Sequence, residues 1–196
     1  MTDKRSFRFV VSDGTVLRGK ELILLRKLQT QSTEEMIHTV LIPLIMKRAP
    51  VSLRALDWSV VNYSKEKHII CSGPAPGQKT SIHAAYQDSL RFWKRRLFDP
   101  FRRRFPVTLV VGDESYQTTL GQANFAHFVH STGVINYVVA NIADIERNMN
   151  AAVARQRRER QKALAVGAHR IRQSLTQSDG APMILYPRTE TITFGS

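Results

Sequence analysis

The segment SLRFWKRRLFDPFRRRF (89–105), with the residues just before it, constrains the fold of this chain more than any other stretch. Tyr86, Leu90, Trp93 and Leu97 recur at intervals of four, three and four residues. On a helix that spacing places four large apolar side chains on one face. The same segment holds seven basic residues and one acid, so a helix that buries the stripe must carry its arginines elsewhere. Asp99-Pro100 is then the expected stop, because the residue before a proline is pushed out of helical geometry. A stripe of this kind needs a facing layer, and the rest of the chain must supply it.

Around this helix the sequence reads as alternating short elements. FRFVVSDGTVLR alternates apolar residues about Asp13-Gly14, a dipeptide suited to the positive φ angles of a tight turn, and is expected to form a hairpin. Ser32 lies three residues before Glu35, the spacing of a capping box, and starts a helix through EEMIHTVL that Pro43 kinks or ends. Ser52 caps a second helix, LRALDWSVVNYSKEK, with Leu53, Leu56 and Val60 on one face. CSGPAPGQKTS reads as a loop. The striped helix runs from near Ser81 to Phe98, PVTLVVGDESYQTTL forms a hairpin around GDES, and GQANFAHFVHSTG is a short helix closed by Gly133. From Val134 to Val166 one long helix is expected, with Val138, Ile142, Ile145 and Met149 on its inner face. The expected fold is α+β: two β-hairpins, four or five helices including one long C-terminal helix, and an extended C-terminal arm. The corresponding segments are 1–70, a Gly/Pro loop 71–81, a core 82–166 and a tail 167–196.

At 42% hydrophobic the chain can bury a core, and 29 Lys plus Arg against 16 Asp plus Glu give a net charge of +13. Such a balance points to an anionic partner: nucleic acid, a membrane surface or an acidic protein face. Cys71 is the single cysteine, which excludes an internal disulfide framework and a four-Cys zinc site. MIHTVLIPLIM is too short to span a bilayer and is interrupted by Pro43, and the apolar run after MTDKRS is too short for a signal peptide, so a soluble intracellular protein without a membrane span is expected.

Catalytic chemistry finds little footing. His127 and His130 have a helical i, i+3 spacing that can chelate a metal, but no acid or cysteine stands near them in sequence, and packing or surface residues are the favoured reading. Cys71 and His68 are close by chance as readily as by design. Asp113 and Glu114 sit in a hairpin turn, where acids are ordinary turn formers, and Asp144 and Glu146 point to successive faces of a helix. No glycine-rich phosphate loop or nucleophile elbow is present. The expectation is a protein that is not an enzyme and takes no metal or cofactor. A metal-dependent nuclease using Asp113, Glu114 and the histidines ranks below the binding readings.

The basic segments carry more. Arg91, Lys94, Arg95, Arg102, Arg103 and Arg104 flank the helix end and the turn after it. Arginine forks match phosphate geometry, and Phe92, Phe101 or Phe105 stack on bases if exposed. Trp93 and Leu97 belong to the stripe and are read as core. For Phe101 and Phe105 the sequence leaves both roles open. Arg155, Arg157, Arg158 and Arg160 lie in ARQRRERQKALAVGAHRIRQ (154–173), where charge surrounds the helix, and a solvated helix and a partner-binding one stay equally open.

The strings DWSVVNYSKEKHI, AYQDSLRFWKRRLFDPFRRR, TTLGQANFAHFVHSTGVINYV and NIADIERNMN occur in an order that resembles a family of short, uncharacterised proteins of large nucleocytoplasmic DNA viruses, especially those of algae and protists. The resemblance covers residues 57–150. Where that family has a cysteine after FDPF, this chain has Arg102. The resemblance implies a viral setting and brings no catalytic residues with it. The expected role is a virion structural protein, a minor capsid or capsid-associated component that bridges neighbouring virion proteins through the basic cluster and the C-terminal arm. It would be part of a larger assembly, in the virion and, during assembly, in host cytoplasm or viral factory. The alternative is a basic protein that binds DNA or RNA in viral packaging or transcription. FVVSDGTVLRGKELILL is also similar to the start of POZ-type adaptor domains, which would imply a protein-binding N-terminal part.

Overall fold

The computed structural model describes residues 6–73, 77, 79–101 and 103–165. Strand β1 (Phe7–Val11) pairs antiparallel with β4 (Pro106–Val111), Phe7 opposite Val111 and Val11 opposite Val107. β4 pairs in turn with β5 (Glu114–Thr119). The hairpin expected around GDES is therefore present, with Glu114 drawn into the strand and Gly112, at φ +56°, in the turn. The hairpin expected around Asp13-Gly14 is not. The turn forms, with the Thr15 amide bonded to the Ser12 carbonyl at 3.0 Å, but the chain runs on into helix α1 (Lys20–Gln31). This removes the hairpin on which the POZ-type comparison rested.

Two interactions account for the difference. Pairing with β4 puts Phe7 and Phe9 on the same buried face as Val107 and Leu109. On the other edge of β1, the Gln29 side chain accepts the Phe9 amide at 2.8 Å and donates to the Phe7 carbonyl at 3.3 Å. A glutamine from α1 thus does the hydrogen bonding of a neighbouring strand, which also closes the edge to strangers. A second antiparallel pair, β2 (Ile70–Ser72) with β3 (Lys79–Ser81), frames the segment read as loop 71–81. The α+β class stands, with two small antiparallel sheets among the described residues.

The helix α1 was not legible as an element; it buries Glu21, Leu24 and Leu28. The next helix is capped by Thr33 rather than Ser32, the Thr33 hydroxyl accepting the Met36 amide at 3.1 Å. It comprises α2 (Glu34–Met36), a π-helical turn Ile37–Leu41 and α3 (Ile42–Ile45). In the widened turn the Ile42 amide reaches back to the Ile37 carbonyl, and Pro43, which has no amide to offer, is carried without a break. Ser52 caps its helix as expected, accepting the Ala55 amide at 3.1 Å. That helix also contains a π-helical turn, Ser59–Tyr63, between α4 (Leu53–Trp58) and α5 (Ser64–Lys67).

Helix α6 (Ile82–Trp93) ends sooner than the stripe implied, at Lys94 (φ +61°), and a 3-10 turn, Arg95–Leu97, follows. Leu97 still reaches the core, from the turn rather than from the helix. Helix α7 (Leu120–Ser131) starts at a Thr119 cap, and Gly133 closes it as expected. The long helix from Val134 is two helices, α8 (Val134–Ala140) and α9 (Ile142–Ala165). Asn141 separates them, its side-chain amide donating to the Tyr137 carbonyl at 2.8 Å in competition with the helical backbone.

One apolar cluster runs from Phe7 to Ile145. Phe98 lies near its centre, 5.8 Å from the Tyr86 ring, 5.6 Å from Phe125 and 5.2 Å from Phe128. The start of α9 is tied to the α4–α5 helix by the Trp58 indole N–H, which donates to the Asn148 side-chain oxygen at 2.9 Å, and by the Asn148 side-chain amide, which donates to Glu66 at 3.0 Å. The chain divides into two units, Met1–Ala154 and Arg155–Ser196. Of the second, only the helical residues 155–165 are described; the expected C-terminal arm and the rest of the 167–196 tail lie outside the described residues.

Candidate functional site

The turn that follows α6 carries the arginines, and the first turns of α7 hold it in place. The Asn124 side-chain amide donates to the Leu97 carbonyl at 2.9 Å and the Gln122 side-chain amide to the Pro100 carbonyl at 3.0 Å. Gln122 is oriented by the Thr118 hydroxyl, which donates to its side-chain oxygen at 2.9 Å. Gln122 and Asn124 are each 1% exposed, so both hydrogen bonds run through the core. Gly121 lets the backbones approach: a Cβ there would lie 3.3 Å from the Asp99 nitrogen. The strings FDPF and TTLGQANF, separate in sequence, are thus the two halves of one latch. Asn124→Ala is expected to leave the buried Leu97 carbonyl unbonded and to cost about 2 kcal/mol, read from urea unfolding.

The latch sets out the basic side chains with different partners. Arg96 bonds the buried Glu21 carboxylate at 2.9 Å and stacks over Phe105 at 5.9 Å. Arg103 lies 3.4 Å from Asp99 and over the Phe101 ring at 5.1 Å. Arg91 pairs with Asp88 at 3.1 Å in an exposed bridge that contributes little to stability. Among the described residues Lys94, Arg95 and Arg104 are exposed and form no ion pair. Arg102 lies outside the described residues. Phe101 and Phe105, left open by the sequence, are half-buried beneath arginines, while Phe92 is 52% exposed.

Two carboxylates that the sequence did not assign to a site, Asp57 and Asp99, belong to this region. Burial pushes the Asp57 carboxyl above its ordinary range, Arg95 and Arg103 draw it down, and Asp99 raises it again. Burial also raises the Tyr86 hydroxyl, with Asp57 and Asp99 adding to the effect and Arg95 opposing it. Asp57 comes from α4 and Asp99 from the turn, so only the tertiary fold brings them under the same arginines. In the second basic segment, Arg155, Arg157, Arg158 and Arg160 are all exposed on α9, in the second unit.

Residues 11–190 match a family described as "Family of unknown function (DUF7197)". The chain belongs to that family. It is also 25% identical over 140 residues to "Uncharacterized protein L507" of Acanthamoeba polyphaga mimivirus, an alignment that takes in 67% of this chain and 54% of that protein. The chain therefore spans about half the length of the curated relative it matches. No solved structure matches it. An uncharacterised family with a relative in a large DNA virus agrees with the resemblance carried by the motifs.

In this DUF7197 protein the two histidines do not act together. His127 is held neutral down to about pH 4, first by burial, then by the charges of Lys27 and His130, although a hydrogen bond to the Gln31 backbone works the other way. Burial also lowers Lys27, whose ammonium donates to the Asn124 side-chain oxygen at 3.4 Å and stands 5.3 Å over the Trp93 ring. His130 instead faces Glu35, 3.8 Å away, in an open cleft of about 630 Å³ that Ser72, Gly133 and Asn136 help to line. Among the described residues no three His, Cys, Asp or Glu side chains are placed to hold a metal ion. Asp113 stands in the β4–β5 turn, Glu114 accepts the Tyr116 hydroxyl, and Asp144 pairs with Arg147. Cys71 is buried and its thiol is pushed up by that burial. No helix among the described residues is long and apolar enough to cross a membrane.

Proposed function

We propose that this DUF7197 protein is a non-enzymatic structural component of a large DNA virus particle, a minor capsid or capsid-associated protein that docks its arginine turn on an acidic face of a neighbouring virion protein. The observation that carries the reading is the state of the turn. Its backbone is latched by bonds through the core, and part of its charge is already balanced by Glu21, Asp88 and Asp99. What it presents is a fixed surface of arginines over phenylalanine rings with acids between them. Arginine and aromatic side chains are enriched at protein–protein contacts, and mixed charge confers specificity there. The mimivirus relative supports the viral setting. Purified virions, stripped stepwise, test it: release with the capsid proteins in a fixed ratio is expected, and absence from particles would overturn the role.

A second reading rests on a different observation. From Val153 to Leu164 every side chain is exposed, and Arg155, Arg157, Arg158, Arg160 and Lys162 meet one acid, Glu159. Such a helix suits a nucleic-acid backbone in viral packaging or transcription. Affinity for duplex DNA would then fall steeply with salt. Replacing the four arginines by glutamine would flatten the plot of log affinity against log salt by roughly 3 to 4 in slope. A salt-independent affinity would exclude this reading.

A further inference from the structure

We infer that Phe92 and Ile23 form an apolar anchor beside the arginine turn, and that the segment seated on it is an acidic stretch of a protein carrying a large apolar side chain. The inference rests on reading the turn as a protein-docking surface. Phe92 is 52% exposed and Ile23 53%. Phe92 is not a loose side chain. Its carbonyl accepts the Lys20 ammonium, which also stands 4.7 Å over its ring. Its neighbour Trp93, 4.6 Å away and nearly perpendicular, is 7% exposed and anchored in the core. Lys20, Ile23 and Lys27 share one face of α1. With Lys20 on Phe92 and Lys27 over Trp93, the helical spacing puts Ile23 between these two lysines along that face.

The charge around this anchor selects the partner. Lys20, Lys94 and Arg104 have no acid bound to them among the described residues, whereas Glu21 and Asp88 are taken up by Arg96 and Arg91. An acidic segment complements that surplus. A nucleic acid is disfavoured because stacking needs an open ring face, and Lys20 and Trp93 already crowd the Phe92 ring. A membrane is disfavoured because an interfacial surface needs a broad apolar face, and here two apolar side chains stand among ion pairs.

The test uses the full chain and fluorescent probes: a peptide of glutamates around one central Phe, the same peptide with Ala in its place, an oligo-dT strand, and phosphatidylcholine vesicles containing phosphatidylserine. The Phe peptide is expected to bind roughly tenfold tighter than the Ala peptide. Phe92→Ala and Ile23→Ser should each reduce that preference, and Lys94→Glu should weaken both peptides alike. Because Phe92 and Ile23 are exposed, the variants should melt as the parent does, and a Phe92→Ala protein that loses its fold leaves Ile23→Ser to decide. Equal affinity for the two peptides, or a preference untouched by both substitutions, would overturn the anchor. So would Phe92-dependent binding to oligo-dT or vesicles alone. Failure here with the protein still released alongside capsid proteins removes only the anchor; absence from particles removes the virion role and leaves the peptide result intact.

Discussion

Gly133→Ala is expected to lower the stability of the first unit by about 3 kcal/mol or more, and its melting temperature by roughly 10 °C. Two effects combine. Gly133 holds φ +69° at the junction of α7 and α8, a region that a side chain enters at a cost. A Cβ at this position would also lie 2.1 Å from the Ser72 carbonyl oxygen and 3.1 Å from its carbon. Neither neighbour is the flexible end of a side chain. The contact is with the backbone of β2, which is paired to β3, so relief requires the small sheet or the helix junction to move. Gly14 provides the control. It has φ +75°, but no atom lies within 4 Å of the place a methyl group would take, so Gly14→Ala should show only the conformational cost, about 1 kcal/mol. Thermal unfolding of the two variants separates the terms: similar losses would mean that the approach of Ser72 is not tight.

Local chemistry explains which elements were legible. The Ser52 cap, the β4–β5 hairpin, the end of α7 at Gly133 and the burial of Tyr86, Trp93 and Leu97 each depend on residues within a few positions of one another. The elements that depart from the local pattern depend on distant partners. Asp13-Gly14 does make a turn, but the strand before it finds β4, nearly a hundred residues on, and Gln29 closes its free edge. The periodicity of the α6 stripe continues to Leu97 and gives no sign that the helix ends at Trp93. The end depends on Asn124 and Gln122, which offer bonds to the carbonyls of a non-helical turn. The candidate site divides the same way. Its basic residues are visible as a local run, whereas their neutralisation by Glu21 and Asp99, the closeness of Asp57 and the Lys20–Phe92 contact are products of tertiary packing. The run of arginines overstated the free charge, and the fold reduces it.

Acid is expected to weaken the protein through His127. In the unfolded chain an imidazole takes up its proton near pH 6.5, while in the folded protein His127 stays neutral to about pH 4. Between those values the unfolded state binds more protons, so the stabilisation is complete above pH 6.5 and is lost as the pH falls through the window. The full loss is about 3 kcal/mol. Burial is the main cause, and the cations in the surroundings make it worse. Lys27 from α1 faces the ring, and His130 stands one turn along α7 with Glu35 3.8 Å beyond it. A proton on His127 therefore adds a positive charge to the α1–α7 contact, where the nearest compensation is the Gln31 backbone. Urea unfolding of the parent and of His127→Gln, measured at intervals across the window, isolates this contribution, since carboxylates titrating at the same pH affect both proteins equally. The parent should lose up to about 3 kcal/mol more than the variant on going from pH 6.5 to 4. Parallel curves would show that the imidazole is solvated and that α1 and α7 are not packed as closely around it as the structure has them.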